Sequence, residues 1–215
     1  MARIDPELDR AVSRAVGHGF PLSVEERASV VELVIQQVRD IGPLVNFYAL
    51  ERLIMVGCDP VDLSRLTSLK KIDMLSVEDS ALRDLSRVDS FPLLDFTMPR
   101  NFVADLEPLL SIPTLLQVDV TGNPLSEVSY REVIPELINK GRRVRFSSEL
   151  EWSVSVRLCE AGVGVVCYES SRGYRLCRPG LAWSKAPQYG HPLISRDDVE
   201  GLLHGDPEQA CRFFA

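Results

Sequence analysis

One stretch limits what this chain can fold into: Leu115–Leu125, LLQVDVTGNPL. Its apolar residues stand at Leu115, Val118 and Val120, followed by Asn123 and Leu125. Val118 and Val120 are two residues apart, which points both to one side of a short strand. Leu115 turns in just before that strand. Asn123 can bond backbone groups from inside the bend that follows, where no strand partner is available.

Weaker versions of the same spacing precede it. They read as Leu50, Leu53 and Met55 with Cys58 at the Asn place, then Leu69, Ile72 and Met74 with Val77, then Phe91, Leu94 and Phe96 with Pro99. The starts at 50, 69, 91 and 115 lie 19, 22 and 24 residues apart. Return segments at Val61–Leu66, Leu82–Val88 and Asp105–Leu110 read as short helical turns. A helix near Tyr130–Asn139 leads into a last strand at Arg142–Phe146, with Val144 and Phe146 inward.

The pattern L-x-x-L-x-L-x-x-N-x-L over about residues 44–147 resembles the leucine-rich repeat superfamily, most closely its short-repeat bacterial type. Only the fourth repeat is close to ideal. Met55, Met74, Phe96 and Pro99 depart from the commonest residues, and Asn is missing at three sites. The resemblance implies parallel strands lining a concave face whose projecting side chains bind protein.

The flanks read as caps. Residues 4–16 form a short helix with Asp5 as N-cap, Pro6 at its first position and a stop at Gly17-His18-Gly19. Residues 23–41 read as a second helix, opened by the capping box Ser23–Glu26 and stopped by Gly42-Pro43. An open repeat stack exposes apolar residues at its ends and needs such caps. After the repeats, Trp152, Val154, Val156 and Leu158 alternate with polar residues, which reads as a strand. Val163–Tyr168 and Tyr174–Arg178 complete an antiparallel meander. Residues 179–193 read as a Pro/Gly loop with Trp183 and Tyr189. Ser195 caps a helix to His204, and a last short helix ends in Phe213 and Phe214. The expected fold is therefore α/β: a repeat solenoid over 44–147, an N-terminal helical cap over 1–43 and a C-terminal α+β extension over 148–215.

Alternation assigns the face. Between the inward pairs fall Ile54, Asp73, Asp95, Asp119 and Arg145; before them Arg52, Lys71, Leu93, Gln117 and Arg143; after them Val56, Leu75, Thr97, Thr121 and Ser147. This register stacks three aspartates on adjacent strands, where like charges are destabilising and a basic partner would relieve them. Left solvated, the repulsion costs only about 1 kcal/mol or less. The expected partner-binding set is Arg52, Lys71, Asp73, Leu75, Leu93, Asp95, Thr97, Gln117, Asp119 and Thr121. Calcium fits the aspartates poorly, because it wants six to eight oxygens from a wrapping loop.

Composition narrows the function. The formal net charge is -7, which argues against nucleic acid and permits a basic protein. No apolar run approaches the ~20 residues of a membrane span, and Met1–Arg10 shows no secretory h-region. Five Cys without C-x-x-C or C-x-x-H read as reduced and mostly buried, not as a zinc site. Gly162 and Gly164 lack the spacing of a phosphate loop. Ser184, Lys185 and His191 make no known catalytic spacing. The sequence thus predicts a cytoplasmic, non-enzymatic protein-binding module without cofactor or metal, of the immunity or inhibitor kind. A delivered effector or adaptor, or an enzyme with its chemistry in 148–215, are the alternatives.

Overall fold

The computed structural model describes residues 4–180 and 190–214. The readings at Trp183, Ser184, Lys185 and Tyr189 lie outside the described residues.

The chain opens with helix α1, Pro6–Val16. The Asp5 carboxylate accepts from the Glu7 and Leu8 amides, and Gly17 ends the helix at φ 96°. Its buried Leu8, Ala11 and Val12 pack toward the first strand. Helix α2, Val24–Ser29, begins at the expected Ser23–Glu26 capping box. It does not run on to residue 41. Val30 and Val31 lead into strand β1, Glu32–Gln36, with Leu33 and Ile35 buried. β-branched residues crowd a helical turn but suit a pleated surface. The sheet therefore starts inside the segment assigned to the N-terminal cap.

Five further strands follow: β2 Arg52–Val56, β3 Met74–Glu78, β4 Asp95–Thr97, β5 Gln117–Asp119 and β6 Arg143–Arg145. All six pair in chain order and in parallel. Short 3-10 turns at Leu63–Leu66, Val88–Ser90 and Glu107–Ser111 return the chain. Before β6 the return is longer, ending in helix α3, Ile134–Asn139.

Strand pairing corrects the register of two repeats. Leu53 faces Leu75 and Met55 faces Val77, while Leu75 faces Phe96. The inward residues are thus Leu75 and Val77 in β3, and Phe96 followed by Met98 in β4. All four are essentially buried, whereas Leu94 is 42% exposed. With β1 included, the repeats start at Val30, Leu50, Ile72, Leu93 and Leu115, which lie 20, 22, 21 and 22 residues apart.

In this register Asn101 holds the place that Asn123 holds one repeat later. The Asn123 amide donates to the Met98 and Val120 carbonyls (2.8 and 3.0 Å), and its oxygen accepts from the Val103 amide (3.1 Å). Asn101 does the same for Val77, Met98 and Leu82 (2.7, 3.1 and 3.2 Å). One repeat earlier Ser80 substitutes, accepting from the Cys58 amide and donating to the Glu78 carbonyl. The residue just before each of these places is left-handed: Gln37, Gly57, Asp79, Arg100 and Gly122, with φ between 48° and 70°.

Past the repeats, the alternating segment forms helix α4, Glu149–Glu160, not a strand. Ser148 and Glu151 make a capping box there. Its buried face is Glu151, Trp152, Val154, Ser155 and Leu158, a helical stripe. Trp152 stacks on Tyr130 at 4.1 Å and donates to the Leu125 carbonyl at 2.8 Å, joining α4 to the repeat core. Strands β7, Val166–Ser170, and β8, Gly173–Cys177, form a hairpin, and β9, Leu193–Ile194, pairs with β8. Helix α5, Arg196–His204, opens at Ser195 as expected. A second apolar cluster, including Val154, Leu158, Leu176 and Val199, lies beneath these elements. No described helix is long and apolar enough to cross a membrane.

Candidate functional site: the open face of the parallel sheet

Each strand of the repeat sheet buries one set of alternate side chains and leaves the other set outward. The pairing aligns the outward set in two rows. One runs Glu32, Arg52, Met74, Asp95, Gln117 and Arg143. The other runs Val34, Ile54, Ser76, Thr97, Asp119 and Arg145. Gln36, Val56 and Glu78 begin a third row across β1–β3.

These rows replace the expected aspartate stack. Asp95 lies beside Met74 and Gln117, Asp119 lies beside Thr97 and Arg145, and Asp73 precedes β3. The three carboxylates therefore do not stand in one row, and the repulsion that would have called for a basic ligand is absent. Lys71 also precedes β3. Leu75 and Leu93 are core residues, 1% and 0% exposed, and present nothing to a partner. Thr121 is buried, and its hydroxyl has no partner among the described residues. Arg52, Asp95, Thr97, Gln117 and Asp119 do share the open face.

Reasoning from sequence missed Glu32, Val34, Met74 and Glu78; Ser76 stands in the same rows but is buried, 3% exposed. The signal for the first two was the alternation Leu33–Ile35. For the others it was Ser80, eight residues after Ile72 as Asn101 is after Leu93 and Asn123 after Leu115.

The face changes character along the stack. Toward β1–β3 it offers Val34, 38% exposed, with half-buried Ile54, Val56 and Met74. Toward β4–β6 it is polar. Several charges there and at the β1 edge lie beside a charge of opposite sign. Arg52 pairs with Glu32 at 2.7 Å, and Arg145 lies 3.7 Å from Asp119. The Gln117 amide donates to Asp95, and the Thr121 amide donates to Asp119 at 2.9 Å. Thr97, Gln117, Asp119, Arg143 and Arg145 edge a shallow hollow of about 310 Å³. A roomier hollow, about 590 Å³, lies off this face beside the turns at Asp59–Ser64 and Ala81–Arg87. It is open, and its lining includes the Ser64 and Ser86 hydroxyls, which donate to Asp62 and Asp84 at 2.6 and 2.8 Å.

Among the described residues the face holds no set of metal ligands. Among the described residues, the side chains close enough together to hold an ion are Asp79, Cys177 and His191. They meet where the β7–β8 hairpin packs against the turn after β3. Asp79 stands 98 residues before Cys177, so no local spacing announces the group.

No protein-family model matches the chain, and no curated protein matches it in sequence. Among solved structures 43 chains match. One is an internalin (inlF) from Listeria monocytogenes, 16% identical with a TM-score of 0.54, covering 71% of this chain and 53% of that one. Another is internalin C2 (inlC2) from the same organism, 18% identical with a TM-score of 0.36, covering 66% of this chain and 93% of that one. The chain spans about half the length of the first. Internalins are leucine-rich repeat proteins. The likeness to the first, together with the six parallel strands and the asparagine ladder, makes the architecture of this chain a leucine-rich repeat type of fold.

Proposed function

We propose that this chain is a non-enzymatic module that binds a protein partner through the open face of its repeat sheet. The observation that carries the reading is the outward placement of Val34, Ile54, Val56 and Met74 on adjacent strands. The strands bury the apolar residues of their other faces, Val144 of β6 only partly, so folding does not require apolar residues here. Partly exposed apolar side chains grouped on one rigid face are the makings of an interface core, and the charged residues around them are the makings of its rim.

The matched charges of Glu32–Arg52 and Asp119–Arg145 favour a partner that presents both signs. The net charge of -7 still favours a basic partner at long range, through faster encounter. An immunity or inhibitor role is one form of this function. A rigid, preformed face suits tight one-to-one capture, because little ordering is lost on binding.

The test is capture of partners from the source cell on immobilised chain, comparing wild type with Ile54→Glu and with Arg157→Glu. Arg157 is exposed on α4 and away from the face. A partner should bind wild type saturably, and Ile54→Glu should weaken it about 30-fold or more, the ~2 kcal/mol of an interface hot spot. Arg157→Glu should bind as wild type does. Failure to find a saturable partner, or equal affinity for Ile54→Glu, overturns the proposal.

A further inference from the structure

We infer that Asp79, Cys177 and His191 form a buried site for a divalent, borderline-soft metal ion of the zinc class, which clamps the C-terminal hairpin to the repeat stack. Asp79 occupies the left-handed turn after β3, Cys177 ends β8, and His191 lies just ahead of β9. All three are buried. The Asp79 Oδ1 atom is 3.6 Å from Cys177 Sγ and 3.9 Å from His191 Nε2, and the three ligand atoms lie within 4.8 Å of one another. Ligand atoms around a tetrahedral zinc stand roughly 3.3–3.6 Å apart, given its bond lengths to sulfur, nitrogen and oxygen. Side-chain shifts of about 1 Å or less would close the triangle. The mixed sulfur, nitrogen and oxygen set suits zinc and not magnesium or calcium, which take oxygen.

His191 supplies the independent observation. Its Nδ1 is 2.8 Å from the Tyr168 hydroxyl, while its Nε2 is buried and has no hydrogen-bond partner among the described residues. A buried ring nitrogen left without a partner is costly. The 3.9 Å to Asp79 is too long for a hydrogen bond, so the ion pair alone does not satisfy it. A metal at Nε2 would, and Nδ1–H donating to Tyr168 is the outer contact that fixes a ligating imidazole.

The charges balance. Cys177 gives up its thiol proton to solvent as its sulfur bonds the ion, so thiolate and Asp79 carboxylate together neutralise a dication. Arg100 donates to the same Asp79 oxygen, which the ion would share, and lies 3.3 Å from Glu78; Arg175 donates to the His191 carbonyl. In the metal-free chain burial pushes the Cys177 thiol up, so it waits protonated. Cys177 and Asp79 are 98 residues apart in sequence. That separation hides the site from any reading of local Cys and His spacing.

Cobalt(II) tests this on the full chain, stripped of metal by chelator and carrying Cys159→Ser and Cys211→Ser to remove the two cysteines that are not buried. One equivalent should bind. It should give a thiolate-to-cobalt charge-transfer band with the intense visible bands of tetrahedral cobalt, release about one proton at neutral pH, and be displaced by zinc. Cys177→Ser should abolish the charge-transfer band, and His191→Ala should weaken binding at least 10-fold. Absence of that band at one equivalent overturns the inference without recourse to variants, whether or not they fold. Persistence of the band in Cys177→Ser overturns it equally.

Discussion

Replacing Asn123 by alanine tests the repeat register at its strongest point. The side chain is 1% exposed. It donates to the Met98 and Val120 carbonyls and accepts from the Val103 amide, so it joins two successive turns of the chain. Alanine leaves the Val103 N–H buried and without this acceptor, a cost of about 1–3 kcal/mol. The two carbonyls lose less, because each keeps a second lone pair, and about 1 kcal/mol covers both. The expected loss is about 2–4 kcal/mol. In urea, with a slope of roughly 2 kcal/mol/M, the unfolding midpoint should fall by about 1–2 M with the slope unchanged. Asn101→Ala should behave alike, because Asn101 makes the equivalent bonds. Asn139→Ala, at the exposed end of α3, should stay within about 0.5 kcal/mol of wild type. An Asn123→Ala chain as stable as the Asn139→Ala chain would refute the ladder.

Three further outcomes follow from the same geometry. Leu93→Ala should cost about 2–5 kcal/mol and Leu94→Ala about 0.5 kcal/mol or less, read by the same denaturation; the reverse order would restore the register in which Leu94 points inward. Gly122→Ala should cost about 1–2 kcal/mol, because φ is +70° and a Cβ would come within 2.9 Å of Arg100 Cγ; an unchanged midpoint would refute strain there. Burial first, then Arg100 and Arg175, holds the His191 pKa below 6.5 against the opposing pull of Asp79. The unfolded chain then takes up this proton first, so the stability due to neutral His191 is whole above pH 6.5 and shrinks as pH falls below it. With chelator present, His191→Gln should lose less stability than wild type between roughly pH 7.5 and 5.5; equal losses would show that His191 is not held neutral.

The parts of the fold written in local chemistry were legible. Asp5, Ser23 and Ser195 cap the helices they were expected to cap, because a capping side chain bonds amides only two or three residues away. The Leu115–Leu125 repeat gave the right strand for the same reason. Register failed where the apolar pattern allows several fits. Leu66, Leu69, Ile72 and Leu75 recur every three residues, so sequence alone does not decide which one enters the strand. Pairing between strands decides it, and a shift of register moves side chains from one face to the other. In β3 the shift is three residues, which is how Leu75 came to be expected on the face while Met74 was passed over. Before β4 it is two residues, which keeps the face but counted Leu93 into the strand when it is the buried residue that turns in ahead of it. Helix α4 was hidden because Trp152, Val154, Val156 and Leu158 alternate as in a strand. The local mark of the helix is the Ser148–Glu151 capping box. Asp79, Cys177 and His191 meet only through tertiary packing, which no local spacing announces.

Met74 offers the most direct test of binding at the open face. It is half-buried among the outward side chains of β3, whereas Met55 and Met98 are sealed in the core. Hydroxyl-radical footprinting of the chain with and without saturating captured partner reads the oxidation rate of each methionine. Binding through the sheet face predicts a severalfold drop at Met74, with Met55 and Met98 protected in both states. An unchanged Met74 rate while the partner is fully bound would place the interface elsewhere and contradict the account.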